Sequence, residues 1–229
     1  MAGLNYLKKI PFLSALSPAH LREVYRLARQ IELAPEESLF LKREDADAMY
    51  IVVSGRIKIF TRSASKKSKT FAYLKSGEFF GEMSLVEGTT RTASATAVEP
   101  SRLIVIYKKD FKRLLAHDPK LTFYLLRTVC ERLRRANEEI EGLLFRNILG
   151  RVAKAMLDLG RRSGEPHHGG LVLKERFTQQ ELADLVGTTR EPLTRALSSL
   201  RRAGLVAVTD DGRYAIPEPQ KLAGLCSNN

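Results

Sequence analysis

Glu82 and Arg91 stand nine residues apart in FGEMSLVEGTTRTASA, residues 80–95, across a Glu87-Gly88-Thr89-Thr90 stretch that reads as a hairpin-like turn. Two chemistries fit such a pair. One is an ordinary surface ion pair. The other is a divided clamp, in which the carboxylate accepts from hydroxyls and the guanidinium makes a charge-assisted contact with an anion.

A second constellation lies in FTQQELADLVGTTREPLTRALSSLRRAGLV, residues 177–206. Thr178-Gln179-Gln180-Glu181 spells a capping box that opens a short helix with Leu182, Leu185 and Val186 inside. Gly187 suits a turn, and Thr188 and Thr189 offer caps to a second helix. Pro192 falls in that helix's unpaired first turn, where a missing N–H is tolerated. Leu193, Ala196, Leu197 and Leu200 form its buried face, opposite Arg190, Glu191, Thr194, Arg195, Ser198 and Arg201. Apolar inside, with hydrogen-bonding groups at the start of the second helix, is helix-turn-helix logic. Arginine bonds bidentately to guanine, and a carboxylate accepts from the cytosine amino group. A glutamate among arginines repels phosphate, so the pattern favours base reading. Downstream, Val206-Ala207-Val208 and Tyr214-Ala215-Ile216 flank an Asp-Gly turn, a strand pair that reads as a wing able to touch phosphate.

These groups need a scaffold. Short apolar runs with turn residues between them (49–53, 57–60, 71–74 and 103–107) predict many short strands over residues 1–117, a sandwich, jelly roll or barrel. A helix starting near Ser17-Pro18 precedes them. After Asp118-Pro119 the period changes. Leu126, Val129, Leu133, Ala136, Ile140 and Leu143 follow steps of three and four, a heptad seam. Such a stripe can bury itself on its own domain, but Tyr124 and Leu125 supply a second, inward face. That leaves the seam for a partner and favours a parallel homodimer. Ile148, Val152, Ala155, Met156 and Leu159 predict one more helical face ending at Gly160, then a loop over residues 161–170. His167-His168 reads there as solvated, not as a metal site.

Composition sets the bounds. A chain of 229 residues, 44% hydrophobic and 28% charged, has room for a substantial core. Cys130 and Cys226 lie far apart, which points to a reducing, cytoplasmic compartment. No apolar run approaches the ~20 residues of a membrane helix, and residues 1–9 lack a signal-peptide core. The net charge is +12, with an excess of eight positive charges in residues 1–117, one in 118–149 and three in 150–229. The basic surplus, including Ser65-Lys66-Lys67-Ser68-Lys69, is either a solubilising surface or a sign that the first domain handles an anion or touches bent DNA. Two scattered cysteines cannot ligate an iron–sulfur cluster. His20 and His117 read as surface residues, not haem ligands, and no metal-ligand cluster or nucleophile–base pair supports an enzyme.

With MYIVVSGRIKIF (49–60), SGEFFGEMSL (76–85), RTASA (91–95) and TQQELADLVGTTREPLTRAL (178–197) in this order, the chain resembles the Crp/Fnr family over nearly its whole length. The resemblance implies an α+β architecture. Residues 1–117 would form a jelly-roll cyclic-nucleotide sensor, 118–147 a dimerisation helix and hinge, and 148–229 a winged helix-turn-helix. It implies that Glu82 accepts from the ribose 2′-hydroxyl, that Arg91 pairs with the cyclic phosphate, and that backbone from Gly81, Met83, Ser84, Thr92 and Ala93 completes the cradle. Arg132 matches a base-stacking position, which on sequence alone is also compatible with a solvated residue. Ala136 and Asn137 match a hydroxyl pair that grips adenine in the catabolite activator. The Glu-to-Arg spacing and Thr92 resemble kinase and channel domains, the latter a feature of those accepting cGMP. The implied effector is cAMP or cGMP, with a cyclic dinucleotide or a vestigial pocket as alternatives. Thr178, Gln179, Thr189, Arg190, Glu191, Thr194, Arg195 and Ser198 would meet DNA. Arg190, Glu191 and Arg195 match the catabolite activator's base readers, implying palindromic TGTGA-like half-sites. The 160–170 loop would meet RNA polymerase. Glu36 and Glu44 stand where the family usually has turn glycines.

Overall fold

Strands that are apolar on both faces need cover on both sides, and the runs at 48–53 and 103–107 find it. The computed structural model describes residues 10–226 apart from 15, 17, 65, 66 and 168, together with the side chains of all but 19, 23, 25 and 27. The expected cap at Ser17, the loop residues Ser65 and Lys66, His168 and residues 1–9 lie outside that set. Two compact units result, one ending at Leu133 and one starting at Arg134, with Ser68–Thr70 grouped with the second.

The first unit opens with helices α1 (Pro11–Ser14) and α2 (Pro18–Leu27). Strands β1 (Arg29–Leu33), β2 (Ser38–Phe40), β3 (Ala48–Ser54), β4 (Ile57–Arg62), β5 (Ser68–Leu74) and β6 (Phe79–Phe80) follow. Helix α3 (Glu82–Glu87) leads to β7 (Ser94–Ala97), β8 (Ser101–Tyr107), α4 (Lys108–His117) and the long α5 (Pro119–Phe145). One sheet has the order β1-β8-β3-β6 and the other β2-β7-β4-β5, the expected jelly roll. Because side chains alternate along a strand, β3 and β8 serve two cores at once. Met49, Ile51, Ile104 and Ile106 pack with Phe12, Leu13, Phe111, Leu121 and Leu125 on the helical side. Ala48, Tyr50, Val52, Leu103 and Val105 pack with Ile57, Leu74 and Phe80 between the sheets. Gly55 turns β3 into β4 at φ +86°, where a Cβ would lie 2.2 Å from the Ser101 hydroxyl.

The second unit holds α6 (Ile148–Ser163), β9 (Gly164–His167), β10 (Gly170–Leu173), α7 (Gln179–Val186), α8 (Arg190–Arg202), β11 (Ala207–Val208), β12 (Tyr214–Ile216) and α9 (Pro219–Gly224). Its sheet runs β11-β12-β10-β9.

Several expectations change. Residues 161–170 are not a loop: α6 continues to Ser163, where Arg161 and Arg162 complement the helix C-terminus, and β9 pairs with β10. The buried face of α6 is Val152, Ala153, Met156, Leu157 and Gly160, rotated from the face read in sequence. His20 is half-buried, its Nδ1 3.2 Å from an Asp118 carboxylate oxygen. Asp118 also accepts from the Lys120 and Leu121 N–H groups, which fixes the start of α5. No described helix is long and apolar enough to cross a membrane.

Along α5, Leu121 and Leu125 are buried, whereas Leu126, Val129, Leu133, Ile140 and Leu143 face outward. Leu121→Ala is therefore expected to cost about 2–5 kcal/mol in urea unfolding, while Leu126→Ala leaves the isolated chain's stability within about 0.5 kcal/mol.

Candidate effector and nucleic-acid sites

The first site begins with strand register. Tyr50 pairs across from Phe80 and Ile51 from Phe79, so β6 delivers its two aromatics to opposite faces of the sheet. Their rings show it: Tyr50 and Phe80 stack with centroids 5.4 Å apart between the sheets, and Phe79 lies 4.4 Å from Phe12 on the helical side.

The segment between the acid and the arginine is a helix, not a hairpin. Gly81 at φ +82° and Gly88 at φ +74° bracket α3, both left-handed, and Leu85 anchors it. Gly81 is needed for space as well, since a Cβ would sit 2.8 Å from Arg91 Nη1. The N–H groups of Gly88 and Thr89 close on the Ser84 carbonyl at 2.9 and 3.1 Å.

Glu82 and Arg91 are 1% and 3% exposed, which overturns the surface ion-pair reading. Each takes its partners elsewhere. Arg91 Nη1 donates to the Gly81 carbonyl at 3.1 Å. Its guanidinium lies 4.2 Å from the Phe40 ring centroid and 5.5 Å from that of Tyr50, and an Asp47 carboxylate oxygen is 3.9 Å away. Its Nε is buried without a hydrogen-bond partner. Its backbone is fixed on both sides: Arg91 N–H donates to the Glu44 carbonyl, and Arg43 N–H to the Arg91 carbonyl, each at 2.8 Å.

Glu82 Oε1 accepts from Arg132 Nη1 at 2.6 Å, while Oε2 is buried without a partner. Arg132 Nη2 also donates to the Phe79 carbonyl at 2.5 Å, and its guanidinium lies 5.0 Å from the Phe79 ring centroid. Arg132 is thus half-buried and engaged, not solvated. Burial raises the Glu82 pKa against the opposing pull of Arg132. Burial lowers that of Arg91, with Tyr50 and Asp47 opposing.

The structure therefore brings Gly81, Glu82, Arg91 and Arg132 together. Met83 is exposed and Ser84 buried on α3; Thr92 is exposed and Ala93 half-buried. Ala136 and Asn137, both exposed, fall in the second unit. Sequence reasoning missed Phe40, Tyr50 and Phe80, whose only signal was the strand alternation placing Tyr50 inward. Of the two glutamates at glycine-like positions, Glu36 is left-handed at φ 64°. Glu44 is not: the strained residue is Arg43 at φ 78°, and Glu44 turns its carboxylate onto the Leu41 N–H at 3.0 Å.

In the second unit, Thr178 and Glu181 close a complete capping box on α7. Gly187 ends α7 in the left-handed region, and Arg151 Nη2 donates to the Val186 and Gly187 carbonyls at 2.8 and 3.1 Å. Leu182 and Val186 are buried, Leu185 half-buried. Thr189 occupies the N-cap of α8, but its side chain makes no capping bond, a correction to its expected role. Leu193, Ala196, Leu197 and Leu200 are buried as expected. The Thr194 hydroxyl lies 2.8 Å from both Gln179 Oε1 and the Arg190 carbonyl, tying the two helices. Arg190, Glu191, Arg195 and Ser198 are exposed on one side of α8, with Arg195 Nη1 bonded to Glu191 Oε1 at 2.6 Å. The wing forms as expected from β11 and β12. Its Arg213 is bonded to Asp211 at 2.6 Å and approaches Glu165 at 3.7 Å. The Thr209 hydroxyl and Arg213 hold the Asp211 carboxyl below its usual range.

Comparison with known proteins places this geometry. A cyclic nucleotide-binding domain matches residues 30–118, and a Crp-like helix-turn-helix domain matches residues 150–225. The chain is 35% identical over 178 residues to the "Cyclic AMP receptor protein" of Thermus thermophilus, covering 77% of this chain and 79% of that one. It is 28% identical over 208 residues to the "CRP-like cAMP-activated global transcriptional regulator" of Mycobacterium tuberculosis, covering 91% and 92% respectively. The solved structure of the c-di-GMP-responsive global regulator CLP of Xanthomonas campestris shares the fold, with a TM-score of 0.77 at 23% identity, over 88% of this chain and all of that one.

The burial of Glu82 carries a pH signature. A carboxyl whose folded pKa is raised holds its proton longer in the native state. Its contribution to stability is then lost as pH rises from the unfolded value of about 4.3 through the raised folded one. Glu82→Gln cannot ionise. Urea unfolding between pH 4 and 8 is expected to show the variant gaining on the parent protein as pH rises.

Proposed function

This chain belongs to the Crp/Fnr family of transcription regulators, and from that premise we propose that it is a homodimer whose DNA affinity is set by a cyclic mononucleotide, cAMP or cGMP. The observation that carries the reading is the pair of buried, half-satisfied charges: Arg91 Nε and Glu82 Oε2 each lack a partner. A cyclic nucleotide offers what they lack, an anionic phosphate for Arg91 and a ribose 2′-hydroxyl for Glu82. Backbone N–H groups from Gly81 to Ser84 and at Thr92 and Ala93 would share the phosphate. The cAMP-responsive names of the two curated relatives favour cAMP. Ala136, without a hydroxyl, and Thr92 favour a broader choice of base, with Asn137 left to hydrogen bond it and Arg132 to stack on it. Ala136 also supports a second reading, in which a cyclic dinucleotide is the effector.

Dimerisation would cover the outward row of α5. A row of Leu126, Val129, Leu133, Ile140 and Leu143 is a heptad seam without a partner in a single chain. Paired subunits would present two copies of α8, with Arg190, Glu191, Thr194, Arg195 and Ser198 toward base edges and Thr178, Gln179 and Thr189 toward the backbone. Binding is expected at palindromic TGTGA-like half-sites about 34–36 Å apart. In this reading residues 118–147 would serve as the dimerisation helix and hinge, between a sensor over residues 1–117 and a DNA-binding domain over residues 148–229.

Calorimetry with cAMP, cGMP and c-di-GMP tests the effector reading. One of them is expected to bind and to tighten DNA binding at fixed salt. Arg91→Leu should weaken that ligand about ten- to a hundredfold, as loss of a charge-assisted contact implies. A null result with all three nucleotides, alongside normal DNA binding, would point to a constitutive regulator and end the gating proposal. Leu133→Lys is expected to shift the protein toward monomer in sedimentation; an unchanged sedimentation coefficient would count against the seam.

A further inference from the structure

The environment of Arg91 bears on which anions it accepts. Its guanidinium is almost fully withdrawn from water, with the Gly81 carbonyl and the Tyr50 hydroxyl as hydrogen-bond partners and the exposed Asp47 side chain no nearer than 3.9 Å. Much of its remaining surroundings is aromatic. The ring of Phe40 lies 4.2 Å from the cation, that of Tyr50 5.5 Å, and Phe80 closes the cluster at 5.4 Å from Tyr50 and 6.0 Å from Phe40.

Aromatic faces compensate a cation for lost hydration without neutralising it. The guanidinium stays protonated, so the seat holds one full positive charge, one unfilled donor at Nε, and little water. We infer that Phe40, Tyr50 and Phe80 form an aromatic seat that makes Arg91 select a singly charged phosphodiester over a doubly charged phosphomonoester. This inference rests on the reading of that site as a nucleotide site.

The physical reason is charge balance in a dry environment. One negative charge on the ligand neutralises Arg91. A phosphomonoester carries close to two at neutral pH, and the second would meet backbone N–H groups but, among the described residues, no second free cation to balance it. The surrounding groups make this worse. Glu44 and Asp47 face Arg91 from the turn before β3, Tyr50 from β3 itself, and Glu82 from α3. Arg132, the other nearby cation, is already bonded to Glu82. A substituted seat without the ring admits water beside the guanidinium, and water screens a second charge. Phe40, Tyr50 and Phe80 are positioning residues in this scheme. They act on the ligand through Arg91.

The test separates charge from ring closure. The full-length protein is titrated with a 3′,5′-cyclic nucleotide, the matching 5′-monophosphate, and the methyl ester of that monophosphate, which carries one charge without a ring. Both the adenosine and the guanosine series are used. The methyl ester is expected to bind about tenfold or more tightly than the monophosphate. Phe40→Leu and, independently, Tyr50→Leu should narrow that gap to within about threefold, the scale of a lost cation–π contact. Phe40→Tyr, which keeps the ring, should preserve it. Circular dichroism melting identifies which leucine variants fold, and either one suffices. Equal binding of methyl ester and monophosphate by the parent protein would overturn the inference, as would a gap unchanged in a folded leucine variant. If neither cyclic nucleotide binds the parent protein, the nucleotide reading itself falls and takes the seat's selectivity with it.

Discussion

Two opposite charges are buried in the first unit without being paired to each other, and the local structure is organised around that constraint. An isolated buried charge is costly unless other groups replace its water. For Arg91 the replacements are the Gly81 carbonyl and the faces of Phe40 and Tyr50. For Glu82 the replacement is Arg132, reaching from α5. The register of β3 against β6 sets the rings, the left-handed Gly81 brings its carbonyl to the guanidinium, and α3 spaces the acid from the arginine. Removing any one of these would take away part of what stands in water's place around a buried charge.

The same contact gives α5 two duties within the first unit. Leu121 and Leu125 fasten its first turns to the roll, and Arg132 fastens it again to Glu82 at the start of α3. A helix held at two points along its length is a stiff strut. Within that fastened stretch Leu126, Val129 and Leu133 face outward.

Much of this was legible in the residues. Alternation and short apolar runs marked β3, β4 and β8, and the capping box and left-handed glycine of α7 appeared as the local rules require. The acid and arginine were visible, but their burial was not. A charged residue reads as exposed until the groups that replace its water are known, and for Arg91 these come from Phe40, fifty-one residues upstream, and Tyr50. The loop at 161–170 was misread for a related reason. Glycine, proline and arginine in that stretch look like a linker, yet Gly164 is there because a Cβ would collide with the Gly160 carbonyl oxygen at 2.2 Å. Strand β9 follows only because β10 offers it an edge. Thr189 sat correctly at a helix start, where its backbone conformation matters and its hydroxyl does not.

The arginines of the second unit also have a consequence for ionic strength. Arg213 on the wing is bonded to Asp211, and Arg195 on α8 to Glu191. The salt dependence of DNA binding counts the counterions released when protein cations neutralise phosphates. A cation already balanced by its own carboxylate has fewer to displace. The wing would then add little to the counterion release that measures a grip on phosphate. The slope of DNA affinity against salt would accordingly be shallower than the chain's net charge of +12 suggests.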